Sequence, residues 1–106
     1  MTQQARVVLI TGGIGGIGTS MCQRLATDGY RVVANHHPAE QEAADAWRAE
    51  RAAEGLEIDT VPGDVSSFDD STRMVADIVE RYGAVDVLVN CAGITRDKTF
   101  KRMELK

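Results

Sequence analysis

The sequence has 106 residues, of which 43% are hydrophobic and 26% charged, with a net charge of -4 at neutral pH. This suits one soluble globular domain and leaves no room for a second. The acidic balance gives no reason to expect nucleic acid, and no apolar run reaches the length of a membrane span, so neither is an expected partner.

No charged-then-apolar leader opens the chain, and residues 1–5 are a polar lead-in. Arg6–Thr11 reads as a short buried strand. Helix one is expected over Gly16–Asp28, with Ile17, Met21, Leu25 and neighbouring Cys22 as its apolar face and Gly29 as its stop. Strand two is Tyr30–Ala34, followed by a turn at Asn35-His36-His37-Pro38. Helix two spans Ala39–Glu54, with Trp47 as its anchor on the sheet and Gly55 beyond its end. Strand three is Leu56–Val61, nearer an edge, and Pro62–Val65 turns the chain. Ser66 or Ser67 caps helix three, Asp69 and Asp70 suit its first turn, and Met74, Val75, Ile78 and Val79 form its buried stripe up to Gly83. Strand four is Val85–Val89; Asn90–Thr95 is a small-residue loop, and Arg96–Lys106 is a charged segment that begins a further helix.

Strand and helix alternate three times before the fourth strand. This predicts an α/β, Rossmann-type doubly wound parallel sheet of order 3-2-1-4, with a ligand at the carboxyl ends between strands one and four. Between strand one and helix one lies Thr11-Gly12-Gly13-Ile14-Gly15-Gly16-Ile17-Gly18, with five glycines in seven residues. It satisfies G-x-G-x-x-G through Gly13, Gly15 and Gly18, and T-G-x-x-x-G-x-G through Thr11, Gly12, Gly16 and Gly18. Backbone without side chains can lie against a ligand, and the following helix offers unpaired N–H groups that suit a pyrophosphate. The NTPase type of phosphate loop needs Lys after the last glycine, and Thr19 stands there. His36 and His37 have no metal-ligand partners at zinc spacing, and Cys22 and Cys91 form no disulfide framework, so both cysteines are expected to be reduced thiols in a cytoplasmic protein.

The glycine loop, Gly63-Asp64-Val65 after strand three and Asn90-Cys91-Ala92-Gly93 after strand four together resemble the short-chain dehydrogenase/reductase family over nearly all of the chain. With Ile94-Thr95-Arg96-Asp97 followed by Phe100 and Met103, the sequence is similar to the branch that reduces 3-ketoacyl thioesters with NADPH, on acyl-CoA (acetoacetyl-CoA, in polyhydroxyalkanoate synthesis) or on acyl carrier protein. The resemblance implies that Gly12, Gly15, Gly16 and Ile17 line the pyrophosphate. It places Asp64 and Val65 beside the adenine, although Asp64 also suits closing the turn before helix three. Asn90 would brace the sheet, and Cys91, Ala92, Gly93, Ile94 and Thr95 would pass the ribose and nicotinamide, with Cys91 a small space-filler and no nucleophile. Thr95 and Asp97 either face the thioester substrate or belong to a solvated loop. Lys98, Lys101, Arg102 and Lys106 either meet an acidic CoA or carrier protein or form a solvated helix face, which is the plainer reading.

An enzyme that prefers NAD places a carboxylate near the end of strand two. Here Ala34-Asn35-His36-His37 has none, and Asn35, His36 and His37 can donate hydrogen bonds to a 2′-phosphate, so NADPH (NADP+) is the expected cofactor. No Arg stands in that turn, and Gly15 takes the place of an Arg found in many NADPH enzymes of the family. The family's chemistry uses Ser, Tyr and Lys with spacing Y-x-x-x-K; four residues after Tyr30 and Tyr82 stand Ala34 and Asp86. The expectation is therefore that residues 1–106 are the N-terminal cofactor-binding part of a longer reductase. The catalytic C-terminal half would be absent and no catalytic residue present. Activity would be lacking in isolation, strand four would have an open, association-prone edge, and the full-length protein would be a homotetramer. A non-catalytic NADP-binding module is the reading from another class.

Overall fold

In the computed structural model, which describes residues 5–91, the chain forms four parallel strands and three α-helices. The order is β1 (Val7–Thr11), α1 (Gly16–Thr27), β2 (Arg31–His36), a 3-10 turn (Pro38–Glu40), α2 (Gln41–Ala53), β3 (Asp59–Pro62), α3 (Phe68–Tyr82) and β4 (Val87–Asn90). The sheet order is β3-β2-β1-β4, as the strand–helix alternation predicts. β1 is central, pairing Val8 with Val32 on one side and with Val87 on the other. Ala92, Gly93, Ile94, Thr95 and Asp97, and the basic residues after them, lie outside the described residues.

Two apolar cores cover the two faces of the sheet. Val8, Ile10, Val32 and Ala34 point to the side where Cys22 of α1 and Trp47 of α2 pack, together with Ile58 and Cys91. Val7, Leu9, Val33 and Val61 point to the side where Met74 and Ile78 of α3 pack. Alternate residues of a strand face opposite sides, so one apolar run feeds both cores. Trp47 also donates its indole N–H to Thr19 Oγ1 at 2.9 Å, tying α2 to the start of α1.

Five expectations need correction. β2 runs two residues further than expected, so Asn35 and His36 are buried strand residues and not part of a turn. The ladder with β3 carries them, through Asn35 opposite Val61 and His36 opposite Pro62. Helix two divides: His37 caps the 3-10 turn at Pro38–Glu40 before α2 begins. Likewise β3 begins only at Asp59, where pairing with Val33 starts, and includes Pro62, which an edge strand tolerates at its end. On α3 the sheet-facing stripe is Met74 and Ile78, whereas Val75 and Val79 are 39% and 41% exposed. Met74 and Ile78 are one turn apart, and a step of one residue rotates Val75 and Val79 off that line. In the same way Ile17, expected on the core face of α1, is 54% exposed, and Cys22 and Gly18 take the buried positions.

Candidate dinucleotide-binding site

The carboxyl ends of β1, β2, β3 and β4 bring the sequence motifs to one end of the sheet. At β1 the chain leaves Thr11 through Gly12, whose φ of 61° lies in the left-handed region that glycine adopts without strain. Gly13 then presses against the neighbouring strand. A Cβ there would stand 2.7 Å from Ala34 Cβ and 2.9 Å from the Ile10 carbonyl oxygen. At Gly18 an added Cβ would run into the Gly12 carbonyl and lie 2.7 Å from Gly13 Cα, so α1 can approach the loop only without a side chain. Gly16 has open space around its Cα, and Gly15 meets only the Gly12 carbonyl, at 3.4 Å. The glycines therefore divide into two that allow close packing and two that leave room for a ligand.

The start of α1 is suited to an anion. The helix has no side-chain cap and no acidic residue in its first turn, and its first intrahelical bond is donated by Thr19 N–H to Gly15 O at 2.7 Å. The N–H groups of Gly16, Ile17 and Gly18 precede that bond and face the loop end of the helix. Together with the helix dipole they form a cradle for phosphate oxygens, and the half-exposed Ile17 lies beside it. These features fit the pyrophosphate of a dinucleotide.

The loop is held by side chains from two neighbouring strands. Asn35 Oδ1 accepts from Gly12 N–H at 3.1 Å, while Gly13 N–H donates to the Asn35 carbonyl at 2.9 Å. The other end of the Asn35 carboxamide donates to the Gly63 carbonyl at 3.0 Å. Asn35 is 2% exposed and is a strut between the glycine loop and the β3 end, not a free phosphate donor. His36 is 1% exposed, and its Nδ1–H donates to the His37 carbonyl at 2.8 Å. Only His37 of the three stands open to solvent, with a side chain 55% exposed. Its Nε2 is 3.8 Å from Asp64 Oδ2. On the β4 side Thr11 Oγ1 donates to Asn90 Oδ1 at 2.8 Å, which ties the ends of β1 and β4 together.

After β3, Gly63 is buried and tightly packed, since a Cβ there would meet Met74 Sδ at 3.1 Å. Asp64 Oδ1 accepts from both Ser66 N–H at 2.9 Å and Ser66 Oγ–H at 2.6 Å, closing the turn before α3. Val65 is partly buried against the α3-side core. Asp70, one turn into α3, accepts from Asp64 N–H at 2.9 Å. That backbone hydrogen bond, aided by the Arg73 guanidinium, holds the Asp70 carboxyl below its usual range. The sequence placed Asp70 only as a favourable charge in a first turn. Its position three residues after Ser67, the N-cap whose Oγ accepts from Asp70 N–H, was the signal for a role in the loop.

Cys22 and Cys91 are buried in the same core. Burial, with Cys91 beside it, pushes the Cys22 thiol up to about 12, and burial also raises Cys91. Neither is a reactive thiolate, in keeping with a space-filling role for Cys91. Tyr30 and Tyr82 lie at the amino end of the sheet, where the Arg31 guanidinium sits 5.3 Å from the Tyr82 ring centre. A concavity of about 600 Å³ is at that end too, lined by residues that include Gly29, Arg31 and Gly55. It contains none of the three motifs. Among the described residues no group of His, Cys, Asp and Glu is arranged to hold a metal ion, and no helix is long and apolar enough to cross a membrane.

Comparison with known proteins agrees with this geometry. The profile of the short chain dehydrogenase family matches residues 6–106. An acetoacetyl-CoA reductase of Allochromatium vinosum is 66% identical over 94% of this chain, and a nodulation protein G of Azospirillum brasilense is 48% identical over 93%. A 3-oxoacyl-[acyl-carrier-protein] reductase of Staphylococcus aureus is 38% identical over 98%. The chain spans about two-fifths of the length of these relatives (41%, 40% and 41%). Among solved structures, an actinorhodin polyketide ketoreductase with NADPH superposes with a TM-score of 0.76 and 39% identity, over 84% of this chain and 33% of the other. With its parallel sheet, its glycine cradle and this match over nearly its whole length, the chain belongs to the short-chain dehydrogenase family.

Proposed function

We propose that the chain supplies the NADPH-binding part of a reductase that converts a 3-ketoacyl thioester to a 3-hydroxyacyl thioester, with acetoacetyl-CoA as substrate and a place in polyhydroxyalkanoate synthesis. The observation that carries the reading is the glycine cradle at the β1–α1 junction, braced from β2 by Asn35. The 66% identity to an acetoacetyl-CoA reductase, against 38% to a carrier-protein reductase, favours the CoA ester over the carrier protein. The solved ketoreductase was obtained with NADPH, and β2 here ends without a carboxylate; both favour NADPH over NADH.

Within this reading the cofactor supplies hydride to the carbonyl carbon of the thioester's 3-keto group. The residues of this chain bind and orient. Gly12, Gly15, Gly16 and Ile17 line the pyrophosphate, with Gly16 and Ile17 offering backbone N–H groups, since the Gly12 N–H is given to Asn35 and the Gly15 N–H to the Gly12 carbonyl, while Gly63, Asp64 and Val65 border the adenine. Asn90 fixes the β4 end through Thr11. Cys91, Ala92, Gly93, Ile94 and Thr95 carry the chain past the nicotinamide side, and Asp97 faces the substrate. Proton delivery is assigned to no residue of this chain, so residues 1–106 alone are inactive. The working protein is a cytoplasmic homotetramer in this reading.

The test is oxidation of NADPH by acetoacetyl-CoA, compared with acetoacetyl carrier protein. It is run on residues 1–106 and on a polypeptide in which a Ser and Tyr-x-x-x-Lys segment follows Lys106. Turnover by the longer polypeptide alone, faster with the CoA ester, is the expected result. Turnover by residues 1–106, or a preference for the carrier protein, contradicts it. A longer polypeptide that binds NADPH and reduces neither thioester favours the non-catalytic module.

A further inference from the structure

We propose that Asn35 is a positioning residue that fixes the span between the phosphate cradle and the β3 end, so that the pyrophosphate and the adenosine of one cofactor are gripped as a single rigid unit. This rests on the reading of the glycine loop as a dinucleotide site, with the adenine beside Gly63. The Asn35 carboxamide is buried and joins three segments that are far apart in sequence. Its Oδ1 accepts from Gly12 N–H at 3.1 Å, in the glycine loop. Its Nδ2 donates to the Gly63 carbonyl at 3.0 Å, at the β3 end, and lies 3.2 Å from Met74 Sδ of α3.

The partners fix which end of the carboxamide is which. The glycine loop offers a donor and the β3 end an acceptor, so oxygen faces Gly12 and nitrogen faces Gly63. A single planar group with an acceptor at one end and donors at the other meets both demands. A carboxylate would set oxygen against the Gly63 carbonyl, and an aliphatic side chain would leave the two backbone groups without these bonds. Gly63 makes room for the strut. A Cβ there would stand 3.6 Å from Asn35 Nδ2 and 3.1 Å from Met74 Sδ, so a side chain would crowd the far end of the carboxamide. Backbone bonds hold both ends to β2: Gly13 N–H donates to the Asn35 carbonyl at 2.9 Å, and Gly63 N–H donates to the His36 carbonyl at 2.9 Å.

The carboxamide thus acts on the cofactor through the backbone at its two ends. Two halves of a ligand reinforce each other when joined only if their subsites keep the matching separation. Holding that separation before the ligand arrives is what the strut supplies. Its loss weakens a ligand that spans both subsites and leaves one that fills a single subsite nearly as it was.

The experiment measures affinity for ADP, for adenosine and for inorganic pyrophosphate in the wild-type chain and in Asn35→Ala and Asn35→Ser, with circular dichroism to establish that each is folded. The Ser hydroxyl can satisfy one of the two backbone groups but cannot span them, so it tests the span with less harm to folding. Both variants should weaken ADP about tenfold, and adenosine and pyrophosphate about twofold or less, the scale of a lost pair of hydrogen bonds. A general loosening of the fold would weaken all three alike. An unchanged ADP affinity in a folded variant overturns the proposal, as does an equal loss for all three probes. A second measurement needs no variant: saturating adenosine should slow amide exchange at Gly12 about threefold in the wild-type chain, because the occupied β3 end steadies the strut. An unchanged Gly12 rate also overturns the proposal. If the folded wild-type chain binds none of the three probes, the dinucleotide reading itself fails and this proposal fails with it.

Discussion

β1 and β4 are neighbouring parallel strands of almost equal apolarity, Val-Val-Leu-Ile-Thr and Val-Leu-Val-Asn, yet they live in different surroundings. Every residue of β1 is buried, whereas β4 alternates between partly buried and exposed, with Leu88 61% exposed. The register explains which side is open. Leu88 pairs with Leu9, which faces α3, so Leu88 points to the α3 side, where Val75 and Val79 are also exposed. Val87 and Val89 point the other way and pack on the α1 core. β1 is covered by α1 on one face and α3 on the other, and by a strand at each edge; β4 pairs only with β1 among the described residues. An apolar run shows that a strand is built to be covered, and its neighbours decide whether it is.

The largest expected effect sets the two strands apart directly. Ile10→Ala removes a side chain with no exposure and should cost about 4 kcal/mol in urea unfolding, while Leu88→Ala should cost about 0.5 kcal/mol. Similar losses from the two would erase the contrast. Leu88→Lys should also reduce concentration-dependent association in sedimentation, since it places a charge beside a strand edge that no other strand of the described residues pairs with. Next in size is Gly13→Val, which brings a side chain against Ala34 Cβ and the Ile10 carbonyl. It should cost about 2 kcal/mol and abolish nucleotide binding, with urea melts and titration as the readouts.

A smaller effect belongs to the strap between β1 and β4. Thr11→Val removes the donor to Asn90 and should cost about 1 kcal/mol, without the loss of binding caused by Gly13→Val. The smallest concerns the thiols. Folding keeps the proton on Cys22 up to about 12, whereas the ordinary value is 9.0. The folded state thus binds more protons than the unfolded state between those values, so stability is intact below about pH 9 and falls as pH rises towards 12. Below that window, neither Cys22 nor Cys91 should react with a thiol reagent until the chain is unfolded.

Sheet order, helix count and the location of the motifs were legible because period and punctuation are local. Gly29, Gly55 and Gly83 follow the helices as expected, all with positive φ. The end of β2 was misread for the opposite reason. Asn35, His36 and His37 are polar and precede Pro38, which reads as a turn, yet pairing with β3 extends the strand through His36. No local pattern says that a carboxamide will be buried as a strut, because its partners, Gly12 and Gly63, are 23 and 28 residues away. Val75 and Val79 were misplaced because apolar residues in adjacent positions leave the phase of a helix ambiguous by one step. Of the two readings of Asp64 the structure shows the closing of the turn, through Ser66, and it places the second oxygen 3.8 Å from His37 Nε2.

The central claim is that the glycine cradle holds a dinucleotide with a 2′-phosphate. Calorimetric titration of residues 1–106 with NADPH and with NADH tests it most directly, with circular dichroism to establish that the chain is folded. Saturable binding of NADPH, with NADH clearly weaker, is the predicted result. A folded chain that binds neither, or binds both equally, would contradict it.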